Sequence, residues 1–207
     1  MKTKLNNKDI AKKIKDHTEW LKTRKVKGKR ADFSMMDLSD RWNDNFSRAN
    51  LSRAQFQYSN MTGLDVRDSI LNDCNFQNAD MRGMNFSNSS LINSNFASAN
   101  LTNCGFSCCD LTSVKFSGAN LVGCNFFGAN LERACFIHSN LSIFKPLLAD
   151  TARLYVLYVI ENALVPYFIA GCRTYTYEQA IEHWSDKEYA QPKYVKAINA
   201  WKKSSSY

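Results

Sequence analysis

Large apolar residues recur at every fifth position through almost half of the chain. The series runs Phe46, Leu51, Phe56, Met61, Val66, Leu71, Phe76, Met81, Phe86 and Leu91, then Phe96, Leu101, Phe106, Leu111, Phe116, Leu121, Phe126, Leu131, Phe136 and Leu141. In sixteen of these twenty units the residue two places earlier is Ala, Ser or Cys, and the residue just before the apolar one is mostly Asn or Asp. A strict period of five suits neither regular element. An α-helix advances about 100° per residue, so the apolar groups would wander around its surface. In a strand an odd period sends successive apolar groups to opposite faces. A coil in which each five-residue unit makes the same fixed turn keeps all of them on one axis.

The pattern A-(D/N)-L-x-x, as in Ala49-Asn50-Leu51 and Ala129-Asn130-Leu131, resembles the pentapeptide-repeat family over about half of the chain. The resemblance implies a mainly β fold, a right-handed quadrilateral β-helix with four units per coil and a repeat of twenty residues. At that interval the interior sorts into columns: Phe56, Phe76, Phe96, Phe116 and Phe136; Leu51, Leu71, Leu91, Leu111 and Leu131; Phe46, Val66, Phe86, Phe106 and Phe126; Met61, Met81, Leu101, Leu121 and Leu141. Phenylalanine sides thus face each other, as do aliphatic sides. Val66 is undersized in its column, but Leu64 fills the normally small slot two residues earlier, which keeps the volume of that unit. Ala31-Asp32-Phe33 and Met36-Asp37-Leu38 read as two earlier units. The eight-residue step from Leu38 to Phe46 predicts a three-residue insertion near Trp42.

The repeats define residues 31–141, flanked by 1–30 and 142–207. A solenoid leaves its end coils open and needs caps against edge-to-edge association. Ile10, Ile14, His17 and Leu21 form an amphipathic helical stripe, with Asn6 or Asn7 placed to cap its start. His17-x-x-Trp20-Leu21 followed by Gly28-Lys29-Arg30-Ala31-Asp32 is similar to the leader of many bacterial and phage members of the family. After Leu141 the period stops. Leu154–Ile160 and Val165–Cys172 read as strands joined by a hairpin at residues 161–164. Thr176 and Gln179 form a capping box for a helix bearing Ala180, Ile181 and Trp184. Pro192 starts a second helix with Tyr194, Ile198 and Trp201 on one face. This ββαα module looks similar to a small terminal module of phage-encoded proteins, on Gly171-Cys172-Arg173 and the segment from Tyr175 to Trp184.

Charge changes the picture only when it is divided. The net charge is +8, yet residues 1–30 hold 12 basic and 3 acidic groups, whereas residues 31–141 hold 7 basic and 10 acidic ones. The basic character belongs to the N-terminal segment, and the repeat body is mildly acidic at −3. The chain has no run of about 18 apolar residues, and residues 1–30 have many lysines but no continuous apolar stretch, so neither a membrane span nor a secretory leader is expected. Its seven cysteines, with no Cys-x-x-Cys pair, favour free thiols in a reducing cytoplasm.

Catalytic chemistry finds little support. Cys74, Cys104, Cys109 and Cys124 occupy the small inward slot and read as packing. His138 has Cys135 and Cys108 as candidate partners, but a metal centre needs four convergent ligands. Asp32, Asp65, Asp80 and Asp110 share the slot of Asn, where Asx geometry serves backbone hydrogen bonding. The expectation is a non-enzyme without cofactor, metal or small-molecule substrate.

The leading functional expectation is a protein-binding rod. A DNA-mimicking regulator of DNA gyrase, a role the resemblance implies for some members, is the second. Duplex DNA carries one charge per about 1.7 Å, so a five-coil rod of roughly 24 Å would need roughly 14 negative charges. Residues 1–30 suit nucleic acid or an anionic membrane as a third reading. Val122, Phe127 and Ile137 point outward from the late coils and are expected to form one apolar patch on which the C-terminal module docks. An open solenoid end also permits a homodimer.

Overall fold

The structure, a computed structural model, describes residues 2–39, 46–141, 145–150, 155–160, 167–170, 173–186 and 192–205. Its central body is a stack of four-sided coils. From Asn50 onward, parallel bridges join residues twenty apart, such as Asn50 to Ile70, Asn75 to Asn95 and Asn120 to Asn140. Four five-residue units therefore close one coil. Below them the register is 23, with Asp32 bridged to Gln55 and Asp37 to Asn60. The three extra residues of the Leu38–Phe46 step are accounted for by that offset, although the segment around Trp42 lies outside the described residues.

Each corner is a tight turn. The N–H of Ala54 donates to the carbonyl of Leu51 at 2.9 Å, and that of Ala99 to Phe96 at 3.0 Å. The second residue after the apolar one takes positive φ, 69° at Arg53 and 57° at Ser98. An i to i+3 bond with a left-handed third residue is the signature of a type II turn. The Asn or Asp before the apolar residue holds the corner from outside, because its side-chain oxygen accepts the amide two residues on. Asp65 accepts from Arg67 at 3.0 Å, Asp110 from Thr112 at 3.0 Å and Asn95 from Ala97 at 3.0 Å.

The interior is built by the apolar columns. Phe46, Phe56, Phe76, Phe96 and Phe116 are fully buried, as are Leu51, Leu91, Leu111 and Leu131, while Leu71 and Phe136 expose at most 2%. Rings stack along the axis, Phe76 on Phe96 at 4.7 Å and Phe86 on Phe106 at 4.9 Å. Across the axis they meet edge to face, Phe86 with Phe96 at 5.9 Å and 86°. The small inward slot does more than save space. Its hydroxyl or thiol donates to a carbonyl of the coil below: Ser94 to Leu71 at 2.6 Å, Cys74 to Leu51 at 3.0 Å and Cys109 to Phe86 at 2.9 Å.

Helix α1 (Asn7–Lys22) is capped by Asn6, whose side chain accepts from the Asp9 amide. It follows strand β1 (Thr3–Lys4), which pairs in parallel with β2 (Met36–Asp37) on the first coil. Ile10 is fully buried in the solenoid core, with Leu5 and Ile14 packed against it.

At the other end stand four antiparallel strands in sequential order, β3 (Lys145–Asp150), β4 (Tyr155–Ile160), β5 (Tyr167–Ala170) and β6 (Arg173–Tyr175). Helices α2 (Tyr177–Ser185) and α3 (Pro192–Ser204) follow. The sequence pattern marks two of these strands. β3 carries Pro146, a residue confined to edge strands, and β6 is only three residues long, so neither has a period to read. The hairpin connection at 161–164 lies outside the described residues. Alternation along the strands shows how the sheet sits. Ile169 belongs to the solenoid core, whereas its neighbour Phe168 packs with Ala180, Trp184, Tyr194, Ile198 and Trp201 of the two helices. The sheet is therefore sandwiched between the last coil and the helix pair.

Candidate interaction surface

The outward positions of the coils form four side walls, and their composition is uneven. Charged residues concentrate in the first coils, where most are already paired. Asp65 binds Arg67 at 2.7 Å, Asp80 binds Arg82 at 2.8 Å, and Asp73 lies 3.8 Å from Arg53. Neighbouring arginines and donated hydrogen bonds hold Asp80 below the ordinary carboxylate range; at Asp65 the same groups outweigh the opposing effect of burial. From residue 83 to residue 131 only Asp110 and Lys115 are charged. That stretch presents Ser, Thr and Asn, locked into ladders between coils. Asn130 donates to Thr112 at 3.0 Å, Asn120 to Thr102 at 3.1 Å and Asn125 to Ser107 at 3.1 Å.

Val122, Phe127 and Ile137 do not make one patch. Five residues turn the chain through one side of a four-sided coil, so Val122 and Phe127 lie on adjacent sides and Ile137 opposite Phe127. Phe127 is 62% exposed and Ile137 36%, while Val122 is half-buried. The described contacts of the C-terminal module run instead to the end of the stack. The Thr174 hydroxyl donates to the carbonyls of Leu131 at 3.0 Å and Ala134 at 3.3 Å. The same geometry separates His138 from Cys108, which occupy opposite corners, and leaves Cys135 beside Ser117 at 3.6 Å. Among the described residues no group of three or more His, Cys, Asp or Glu side chains is placed to hold a metal.

The inward thiols are buried, Cys74 and Cys104 to 1% exposure. Burial pushes Cys109 and Cys124 up to about 12, and Cys74 and Cys104 well above the ordinary thiol value. Cys108 alone among the described cysteines is exposed.

Two clefts flank the ends. One, of about 420 Å³, lies where α2 meets the last coil and is lined by Arg133, Thr174, Tyr175, Gln179, Glu182 and His183. The other, of about 440 Å³, runs between α1 and the segment leading to the first coil, with Lys12, Lys13, Lys29 and Arg30 beside Asp9 and Asp16. In that region Lys8, Lys12, Lys15 and Lys22 are exposed on the helix, and residues 24–30 are exposed throughout. Lys13 donates to the Asp32 carbonyl at 3.0 Å. No helix of the described residues is long and apolar enough to cross a membrane.

Sequence reasoning missed Thr174 and the cleft residues Arg133, Glu182 and His183. The alternation of Phe168 and Ile169 was the available signal for a two-sided sheet. Nothing local marks Thr174 as a donor to a coil more than forty residues away in sequence.

Comparison with known proteins follows the same division. The profile described as pentapeptide repeats matches in eight copies over residues 45–73, 69–107 and 104–142. No curated protein matches the chain. Among solved structures, the pentapeptide-repeat protein Rfr23 of the cyanobacterium Cyanothece 51142 is 25% identical over 44% of this chain and 59% of its own, with a TM-score of 0.38. A pentapeptide-repeat protein of the Arabidopsis thaliana thylakoid lumen is 30% identical over 44% of this chain and 68% of its own, with a TM-score of 0.37. QnrB1, a plasmid-mediated fluoroquinolone resistance protein, is 16% identical over 52% of this chain and 58% of its own, with a TM-score of 0.25. The chain thus spans about six tenths of the length of Rfr23 and of QnrB1. With its unbroken five-residue period, its twenty-residue coils and the eight-copy profile match, the chain belongs to the pentapeptide-repeat family.

Proposed function

We propose that the chain is a non-enzymatic interaction rod that binds a protein partner through the side walls of a right-handed solenoid. In this reading α1 caps the N-terminal end and the ββββαα module caps the other. The observation that carries it is the wall between residues 83 and 131, with two charged residues and regular rows of Ser, Thr and Asn. Such a surface offers hydrogen-bond donors and acceptors at fixed spacing on a stiff support, while the core beneath tolerates outward change. The free thiols of the described cysteines support a reducing bacterial cytoplasm as its setting. The leader and the C-terminal segment accord with a phage-encoded origin. The caps leave side-to-side contact as the route to a homodimer.

DNA mimicry of the kind that regulates gyrase is the weaker reading. It needs roughly 14 negative charges on a rod of this length, and the body carries a balance of −3 with several carboxylates already bound to arginine. Binding of nucleic acid or an anionic membrane through residues 1–30 has the exposed lysines in its favour. It predicts steep salt dependence.

The test is a nuclease-treated pull-down from bacterial lysate with the full chain and two surface variants, Ala97→Arg with Lys115→Glu on the walls and Lys8→Glu with Lys12→Glu on α1. A partner lost with the wall variant and retained with the helix variant supports the rod. The reverse pattern transfers recognition to the basic end. Retention of gyrase subunits by both variants sinks the reading in favour of mimicry.

A further inference from the structure

Among the described residues His17 is the one buried histidine, and it belongs to neither the repeat nor the walls. It lies on α1, is fully buried, and its ring stacks on Trp20 at 5.4 Å. Its Nδ1 accepts the backbone N–H of Ala31 at 3.0 Å, where the chain enters the first coil. That bond fixes the neutral tautomer, with the proton on Nε2. Nε2 has no hydrogen-bond partner among the described residues, and the ring lies near the Leu51–Ser52 backbone of the first coil. A second proton has one place to go, Nδ1, and there it meets the Ala31 N–H donor head on.

We propose that His17 is an acid-sensitive latch: protonation of its imidazole releases α1 from the first coil and uncovers the N-terminal end of the solenoid. This rests on the reading of α1 as a cap. Protonation forfeits the Ala31 bond, leaves two donors facing each other, and puts a charge where no water reaches it. The surroundings offset this only in part. The Ser52 and Leu51 backbone of the first coil favours the charged ring, the Arg30 guanidinium of the entering segment repels it, and burial, the largest effect, keeps the balance against protonation. On the helix itself Lys13 and Asp16 occupy the preceding turn. Lys13 is engaged with the Asp32 carbonyl and lies over the Phe33 ring at 5.8 Å.

The sign follows from linkage. Burial, with Arg30 adding to it, lowers the folded-state pKa of His17 below its ordinary 6.5. The docked state therefore binds fewer protons than the released one between those two values. Docking is at full strength above pH 6.5 and weakens as pH falls, by up to about tenfold per pH unit until the folded-state pKa is reached. The Asp32 carboxylate, next to Ala31, is held below its ordinary range and stays ionised in that window.

The experiment is site-resolved hydrogen exchange of the full chain between pH 5 and pH 8, corrected for intrinsic rates, with NMR titration of the imidazole. His17→Gln keeps an acceptor for Ala31 and does not titrate. The expected result is protection of the α1 amides that drops roughly tenfold per unit below pH 6.5, while the central coils hold theirs and His17→Gln shows no such drop. An α1 unprotected even at pH 8 sinks the cap itself. Protection that is present but independent of pH, or an imidazole titrating at or above 6.5, overturns the latch and leaves the cap standing.

Discussion

Gly28 sits at φ +74°, and a Cβ there would collide with the Asp16 carbonyl oxygen and lie 2.7 Å from the Trp20 amide nitrogen. Both obstacles are backbone, so nothing flexible yields. Gly28→Ala is expected to cost about 1–3 kcal/mol, read by urea unfolding, and to raise exchange of the α1 amides. Gly123 is a milder case, since there the obstacle is the Asn103 side-chain oxygen, which can rotate away. The thiols give a second check at this scale. Mass-mapped labelling at pH 8 is expected to modify Cys108 rapidly and to leave Cys74, Cys104, Cys109 and Cys124 unmodified until the protein unfolds. Fast labelling of Cys109 in the native state would show that the inward slot opens. The residue types of the repeat were readable in the sequence because each performs the same task twenty residues apart. His17 was readable only as a member of the apolar stripe of α1; its bond to Ala31 and the tight fit of Gly28 were not, because they arise from one unrepeated contact between helix and entering chain.

Among the elements, the five-residue unit conserves volume locally. Val66 is the small member of its column, and Leu64, 2% exposed, supplies the missing bulk. Val66→Phe alone is expected to overpack and cost about 1–3 kcal/mol, and Leu64→Ala alone to leave a cavity costing about 2–5 kcal/mol. The double variant should cost less than the sum, with a coupling of at least about 1 kcal/mol in a double-mutant cycle. Additive effects would mean that the two side chains fill separate spaces. Phe96→Ala, in contact with rings above, below and across, should cost about 3–5 kcal/mol. Phe127→Ala, on the outside, should fall within about 0.5 kcal/mol. The spread of Val122, Phe127 and Ile137 over three sides was already implied by the period. Reading them as neighbours followed their closeness in sequence, whereas a quarter-turn per unit moves each to another wall.

At the scale of the molecule, a stack of coils is a one-dimensional lattice whose ends are its weak points. At the C-terminal end Ile169 joins the solenoid core and the Thr174 hydroxyl donates to two carbonyls of the last coil. Thr174→Val keeps shape and removes the donor. It is expected to cost about 1 kcal/mol and to speed exchange in β5 and β6 before the central coils. Equal loss throughout would mean that the whole chain opens as one unit. The solenoid and the two helices after it were legible because they are periodic. The four-stranded sheet was half legible, because its edge strands are short and its orientation is decided by what it covers.

The twenty-residue register gives the molecule a discrete geometry. An added coil of twenty residues would lengthen the rod by about 4.8 Å and leave its two ends facing as before. Ten residues would keep phenylalanine over phenylalanine and leucine over leucine, yet turn one end by half a revolution against the other. Five would turn it by a quarter and set aromatic rings over aliphatic columns. Duplication of repeats thus acts as a stepping gear between whatever the two ends hold. The register of 23 near the start shows that a length outside these steps leaves the twenty-residue register of the later coils unchanged.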